Sequence, residues 1–342
     1  MKWWPFLLLV ALLACEDRET PKGTISLPEI PANFPIPDSI RYLSEQSIHQ
    51  IELGRALFYD RGLSRDSSVS CASCHKQALA FGDGLAFSVG AHGGSGRRNA
   101  PPLFNLFYPQ LFFKDGGIPR LEEVAMAPMD DHHELDLPLQ ELSMRLRTST
   151  FYVDEIKRIY NREPDPYSIT RALMWFQLSL VSANSRYDDY QYRDKKEILN
   201  AQERRGLDLF LSAHTQCASC HSGPNFTDFQ FHNVGLNMEA HLDTGRARIT
   251  NNPADFARFK TPSLRNLGFS APYMHDGRYS NLEQVLAYYN GGGDGYPGQD
   301  PRIKPLGLTE KELEDLEAFL YSLNDSVFVS HAAYQPLGGS QD

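Results

Sequence analysis

The residues best equipped for chemistry in this 342-residue chain are two identical pentapeptides, Cys71-Ala72-Ser73-Cys74-His75 and Cys217-Ala218-Ser219-Cys220-His221. Two thiols three residues apart, followed at once by an imidazole, form the attachment site of a c-type haem. The thiols make thioethers to the haem vinyl groups, and the histidine reaches the iron as its proximal ligand. With 5 Cys and 11 His in the whole chain, the motif should not arise twice by accident. A zinc ribbon needs its CxxC pairs ~15–20 residues apart, whereas a whole domain separates Cys74 from Cys217. A thioredoxin-like dithiol needs a βαβ surround, and the pattern offers none. The expected cofactors are therefore two covalently attached haem c groups, one on Cys71, Cys74 and His75, the other on Cys217, Cys220 and His221.

Elements that position these motifs repeat as well. Leu53-Gly54-Arg55-Ala56-Leu57-Phe58 upstream of the first is echoed by Arg205-Gly206-Leu207-Asp208-Leu209-Phe210 upstream of the second. Gly and Phe four apart share one helix face, where the Gly admits a crossing helix and the Phe packs. The crossing partners are legible too. Residues 168–180 carry Ala172, Leu173, Phe176 and Leu180 on one stripe; residues 309–323 carry Leu313, Leu316, Phe319, Leu320 and Leu323, opening on a Thr309/Glu312 capping box. The predicted fold is mainly α, with two cytochrome c-like haem domains and long connecting loops, the domains meeting near residues 182–200.

The apolar run at residues 3–14 is too short to span a bilayer and reads as an export signal. It ends Leu12-Leu13-Ala14-Cys15, which resembles the lipobox of bacterial lipoproteins and makes Cys15 the expected lipidated N-terminus; an ordinary signal peptide is the alternative. Residues 16–43, with Pro21, Pro28, Pro31, Pro35 and Pro37, read as an extended tether. The expected organisation is signal peptide 1–15, tether 16–43, N-terminal haem domain 44–190 and C-terminal haem domain 191–330. The expected location is the periplasm or cell envelope, anchored to the membrane rather than spanning it. A formal charge of -10, with 33 Lys and Arg scattered among 43 Asp and Glu, excludes a nucleic-acid binder.

The order of motifs resembles the bacterial di-haem cytochrome c peroxidases and their MauG-like relatives. The matching segments are 53–60, Val69-Ser70, Arg98-Asn99-Ala100-Pro101, Asp115-Gly116-Gly117 with Leu121-Glu122-Glu123, Thr261-Pro262-Ser263-Leu264-Arg265-Asn266, and Ala271-Pro272-Tyr273-Met274-His275-Asp276-Gly277 followed by Leu282-Glu283. The resemblance implies that the N-terminal haem reacts with hydrogen peroxide and the C-terminal haem relays electrons from a small donor, a c-type cytochrome or a cupredoxin. Peroxide reduction needs two electrons, which a second haem can store. The alternatives are a MauG-like oxidation of a partner protein and a non-enzymatic di-haem electron carrier.

The resemblance also assigns residues. Glu134, after Pro128-Met129, matches an acid/base glutamate able to move a proton between peroxide oxygens. Val124 stands where many relatives have Gln, and Lys114 where they have a Trp between the haems. His92, in the glycine-rich run 88–94, lies one residue out of register with a removable far ligand, and a solvated loop is the competing reading; His132 and His133 read as surface residues. A bridging Ca²⁺ is implied at Asn99 and the backbone carbonyls of Ser270 and Pro272, an all-oxygen set, although Asn-Ala-Pro is also a plain turn signal. Tyr289 falls where peroxidases place a Met ligand on the far side of the C-terminal haem and MauG-like proteins a Tyr, so it is the favoured ligand. Met274 is the rival, and Tyr288 a further rival by adjacency.

Overall fold

The computed structural model describes residues 30–37, 44–237 and 242–337. The expected signal peptide, Cys15 and most of the tether lie outside the described residues. Among the described residues, eight helices reach seven residues or more: α1 (Glu45–Tyr59), α2 (Leu139–Leu146), α3 (Thr150–Tyr160), α4 (Pro166–Ser179), α5 (Arg186–Tyr192), α6 (Ala201–Leu211), α7 (Leu282–Gly291) and α8 (Glu310–Tyr321). The described strands are the two-residue β1 (Phe231–His232) and β2 (Phe259–Lys260), antiparallel, with Phe231 opposite Lys260. The protein is thus mostly helical with little strand, and no described helix is long and apolar enough to cross a membrane.

Local signals start the helices where the sequence places them. Pro166 enters α4 behind Asp165, whose carboxylate accepts the Ser168 N–H at 2.9 Å. Thr309 and Glu312 exchange backbone and side-chain bonds of 2.8 and 3.3 Å at the start of α8.

Two helix crossings organise the rest. A Cβ on Gly54 would fall on the Ala172 carbonyl and 2.9 Å from Phe176 Cβ; one on Gly206 would fall on the Asp315 carbonyl and 2.8 Å from Phe319 Cβ. Only glycine lets α1 touch the backbone of α4, and α6 that of α8. One turn on, Phe58 packs 5.0 Å from Phe176 and Phe210 5.1 Å from Phe319. Ile51, Leu57, Leu142, Ile156 and Phe176 close the first core; Leu207, Phe226, Leu316 and Leu323 close the second.

The chain passes from first core to second between Leu180 and Tyr187, but it then comes back. Phe328 and Ala333 belong to the first core, so the expected domain end at 330 falls inside a segment packed on the other unit. Phe328 and Tyr334 cover Phe81 at 5.6 and 6.4 Å, and Arg55 and Tyr59 of α1 donate to the Ala333 and Tyr334 carbonyls, both at 2.7 Å.

Gly54→Ala or Gly206→Ala must push two backbones apart, and either should cost ~3 kcal/mol or more, the upper end for overpacking. Gly291→Ala, with nothing within 4 Å of the added methyl, should shift stability by no more than ~1 kcal/mol. Guanidinium unfolding followed by circular dichroism checks both.

Candidate active site

Each pentapeptide makes one tight turn. Cys71–Cys74 is a single α turn capped by Ser70, whose N–H donates to Ser73 Oγ at 2.9 Å. Cys217–Ser219 is a 3-10 turn entered from Gln216 in the left-handed region. Past each turn the chain doubles back and offers the histidine a carbonyl: His75 Nδ1 bonds Phe81 O at 2.7 Å, and His221 Nδ1 bonds Phe226 O at 3.0 Å. A carbonyl only accepts, so Nδ1 carries the proton and Nε2 keeps its lone pair for a metal. Burial pushes both imidazoles toward the neutral form, against the opposing pull of those carbonyls. Phe81 packs 5.9 Å from Phe58 and 6.4 Å from Phe176; Phe226 packs 5.9 Å from Phe210 and 6.2 Å from Phe319. The helix crossing thereby fixes the ligand tautomer. Sequence reasoning missed Phe81 and Phe226, although a Phe within six residues of each haem histidine was there to be aligned.

A second repeat also escaped it. Residues 112–118 and 273–279 form matching loops, closed by Phe112 N–H to Ile118 O and Tyr273 N–H to Tyr279 O, each 2.7 Å. Both turn through left-handed residues at equivalent places, Phe113 and Gly116 in one, Met274 and Gly277 in the other. The register that pairs Asp115 with Asp276 and Leu121 with Leu282 also pairs Lys114 with His275, and Pro128 with Tyr289. Where the second unit presents a phenol, the first presents a proline with no donor atom.

Glu134 lies near that proline, within electrostatic reach of Cys71 and Cys74. Its side chain is open to solvent on one side, yet the protein packed around it, with Asp131, pushes its carboxyl up to about 6. The glycine-rich run serves this segment. Ala91 N–H donates to Glu134 O at 2.7 Å, and a Cβ on Gly90 would collide with the His133 carbonyl. His92 does not turn toward the haem motif. At φ 58° its ring points to the surface, between Asp66 at 3.6 Å and Asp136 at 3.4 Å, which corrects the far-ligand expectation in favour of the loop reading. His132 also pairs with Asp136 on the surface, and His133 is exposed.

At the second motif Tyr289 is half-buried, and burial, then the nearby Cys217 and Cys220, raises its phenol. Tyr288 is committed elsewhere, donating to Val234 O at 2.8 Å. Met274 packs in the same small cluster as Tyr289, so both remain near the site. His232, beside Cys220, is held by Asp228 and Asp300 at 2.9 and 3.2 Å; no motif announced it.

Between the two units runs a charged seam. Arg98 grips Asp243 through two bonds of 2.6 and 2.8 Å and Asp115 through a third of 2.6 Å, and Arg248 also reaches the fully buried Asp115. Burial alone would raise Asp115; the two guanidinium groups hold it below its ordinary value. His275 stacks on Phe259 at 4.1 Å and 15°, and both its buried ring nitrogens lack a partner. Two vicinal thiols and an Nε2 lone pair at each motif fit haem c, and the orphaned imidazole of His275 fits a cofactor edge that bears carboxylates. The expected calcium ligand Asn99 donates to Leu85 O at 2.8 Å and points its Oδ1 at Lys114 Nζ, 3.4 Å away.

Comparison with known proteins places this geometry. The sequence profile of the di-haem cytochrome c peroxidase family matches residues 48–197. The methylamine utilization protein MauG of Methylorubrum extorquens is 35% identical over 321 residues, covering 92% of this chain and 90% of the relative. The cytochrome-c peroxidase IdrP1 of Denitromonas iodatirespirans is 31% identical over 97% of both chains. Among solved structures, a MauG-like protein associated with microbial copper homeostasis superposes with a TM-score of 0.81 at 28% identity, over 94% of this chain and 99% of that one.

Arg98→Leu strips the buried Asp115 of one of its two cations and should destabilise the protein by ~3–5 kcal/mol, as breaking a buried ion pair does. Guanidinium unfolding of the haem-loaded protein reads the loss.

Proposed function

The chain belongs to the di-haem cytochrome c peroxidase family, and from that premise we propose that its first haem site reduces hydrogen peroxide while its second passes in the electrons. It is an oxidoreductase acting on peroxide. In this reading the first haem unit is residues 44–181 with the returning tail, the second is residues 182–325, and the leader 1–15 exports the chain to the cell envelope, with Cys15 as its lipid anchor. The electrons come from a small cytochrome or cupredoxin.

Cys71, Cys74 and His75 Nε2 would hold the first haem; Cys217, Cys220 and His221 would hold the second, with Tyr289 as a further iron-binding group. The bound haems supply the iron at which peroxide is cleaved and a place to store the second electron. The observation that carries the assignment is Glu134: an acid near neutrality, beside the one haem motif whose repeat offers Pro128 rather than a ligand. Its carboxylate takes a proton from one peroxide oxygen and returns it to the other as that oxygen leaves as water. Each turnover takes up two electrons and two protons and releases two waters.

A MauG-like reading, in which oxidising equivalents pass to a partner protein, is favoured by one feature. A phenolate at Tyr289 would stabilise ferric iron and lower the haem potential relative to a thioether sulfur, which makes the second haem harder to reduce by an electron donor and easier to oxidise beyond the ferric state.

Glu134→Gln should keep both haems through acid-acetone extraction yet slow the peroxide reaction by ~10²–10⁴. Because burial raises this acid and its carboxylate is the working form, the wild-type rate should climb as pH rises through about 6. That rise should be missing in the variant, and stopped-flow absorbance reads both. For the second haem, near-infrared magnetic circular dichroism should show a His–Tyr signature that Tyr289→Phe abolishes and Met274→Leu leaves intact.

A further inference from the structure

Lys114 sits at the tip of the loop closed by Phe112 and Ile118, pointing into the seam between the two units. Its Nζ donates to Asn99 Oδ1 and to the Met274 carbonyl, 3.4 Å each. Those oxygens belong to the two segments, 98–101 and 270–277, from which a bridging calcium would draw its ligands. We infer that the Lys114 ammonium stands in the place of the bridging cation, so that this protein joins its two haem units through a covalently tethered charge and binds no calcium there.

Three observations carry the inference. The first is distance: an ion held at the usual ~2.4 Å from Asn99 Oδ1 could lie no farther than ~6 Å from Nζ. A dication and an ammonium that close would repel each other strongly in a partly buried site. The second is the supply of anionic ligands. Asp115 is taken by Arg98 and Arg248, Asp243 by Arg98, Asp276 by Arg278, and Asp83 by the Leu85 N–H and Ser88 hydroxyl. Of these four, only Asp83 has no guanidinium partner, so the seam offers one uncommitted negative charge, which matches an ammonium and not a dication. The third is the sign of what surrounds the site. Arg98 and the enclosed Lys260, whose Nζ donates to Leu111 O at 2.6 Å, already bring positive charge to the same seam.

The fit of Lys114 also accounts for its loop. The left-handed turn at Phe113 aims the side chain inward, and Asp115 Oδ1 accepts the Gly117 N–H at 3.0 Å, which fixes the turn behind it. In the repeat, the equivalent position is His275, whose ring also enters the seam. The two loops therefore present one amine and one imidazole to the junction.

Metal analysis of the haem-loaded protein tests this directly. Substoichiometric calcium after dialysis against calcium-containing buffer is expected, with haem absorption and Tm unmoved by EGTA or by added calcium. One calcium per chain, whose removal by EGTA alters the haem spectrum, overturns the inference. A second arm uses Lys114→Ala, which bares the seam oxygens. Its Tm should fall, and millimolar calcium chloride should raise it again while leaving the wild type unchanged. A variant that calcium does not restore overturns the claim that the ammonium occupies the cation's place.

Discussion

The contact on which the rest depends is the one where the backbone of one helix touches the backbone of another, at Gly54 and again at Gly206. That approach seats Phe58 against Phe176 and Phe210 against Phe319. Each pair then takes a third aromatic, Phe81 or Phe226, from the segment beyond a haem motif. The carbonyls of those two residues accept the Nδ1 proton of His75 and His221. Widening a helix crossing by a methyl group therefore disturbs packing first and then the orientation of an iron ligand several residues away. Packing and chemistry share one chain of contacts.

On this duplicated frame the two sites diverge through single residues. The matching loops at 112–118 and 273–279 set the same backbone path, but the segment after each ends differently. In the first unit the register puts Pro128 there, and Glu134 stands near it with its carboxyl raised toward neutrality. In the second unit the register puts Tyr289 there, half-buried beside Cys217 and Cys220. In the proposed division of labour the fold is shared, and a proline stands against a phenol at one register position.

The seam between the units is polar where an apolar interface would be cheaper. Burying Asp115 with Arg98 and Arg248 costs desolvation that the pairing roughly returns, so its value lies in specificity. The bidentate bond from Arg98 to Asp243 and the bond from the Asn99 N–H to the His275 carbonyl fix the relative placement of the two motifs. A second polar cluster, Asn105, Ser182, Asn266 and the fully buried Asp325, ties the same units where the chain crosses between them. The returning tail, with Phe328 in the first core, adds an apolar clasp. Electron movement between two cofactors depends on their separation, and these contacts hold it.

The sequence alone determined everything written in short-range pattern. The paired CxxCH motifs, the Gly and Phe four apart, the stripe of α4 and the Thr309/Glu312 cap are local, because haem attachment, helix periodicity and capping each act within a few residues. The mainly helical class and the peroxidase family followed from the same signals. What tertiary structure decided is where side chains point once distant segments meet. His92 turns outward because its backbone is left-handed and two aspartates meet it at the surface. Tyr288 is withdrawn from the site by a carbonyl more than fifty residues away in sequence. The tail beyond 325 joins the first core because its aromatics find cover there. Lys114, an anomaly in the sequence, becomes a seam cation only when Asn99 and Met274 arrive from two other loops. Pattern fixes the elements because their physics is local; it cannot fix partners contributed by other parts of the chain, since those are chosen by packing.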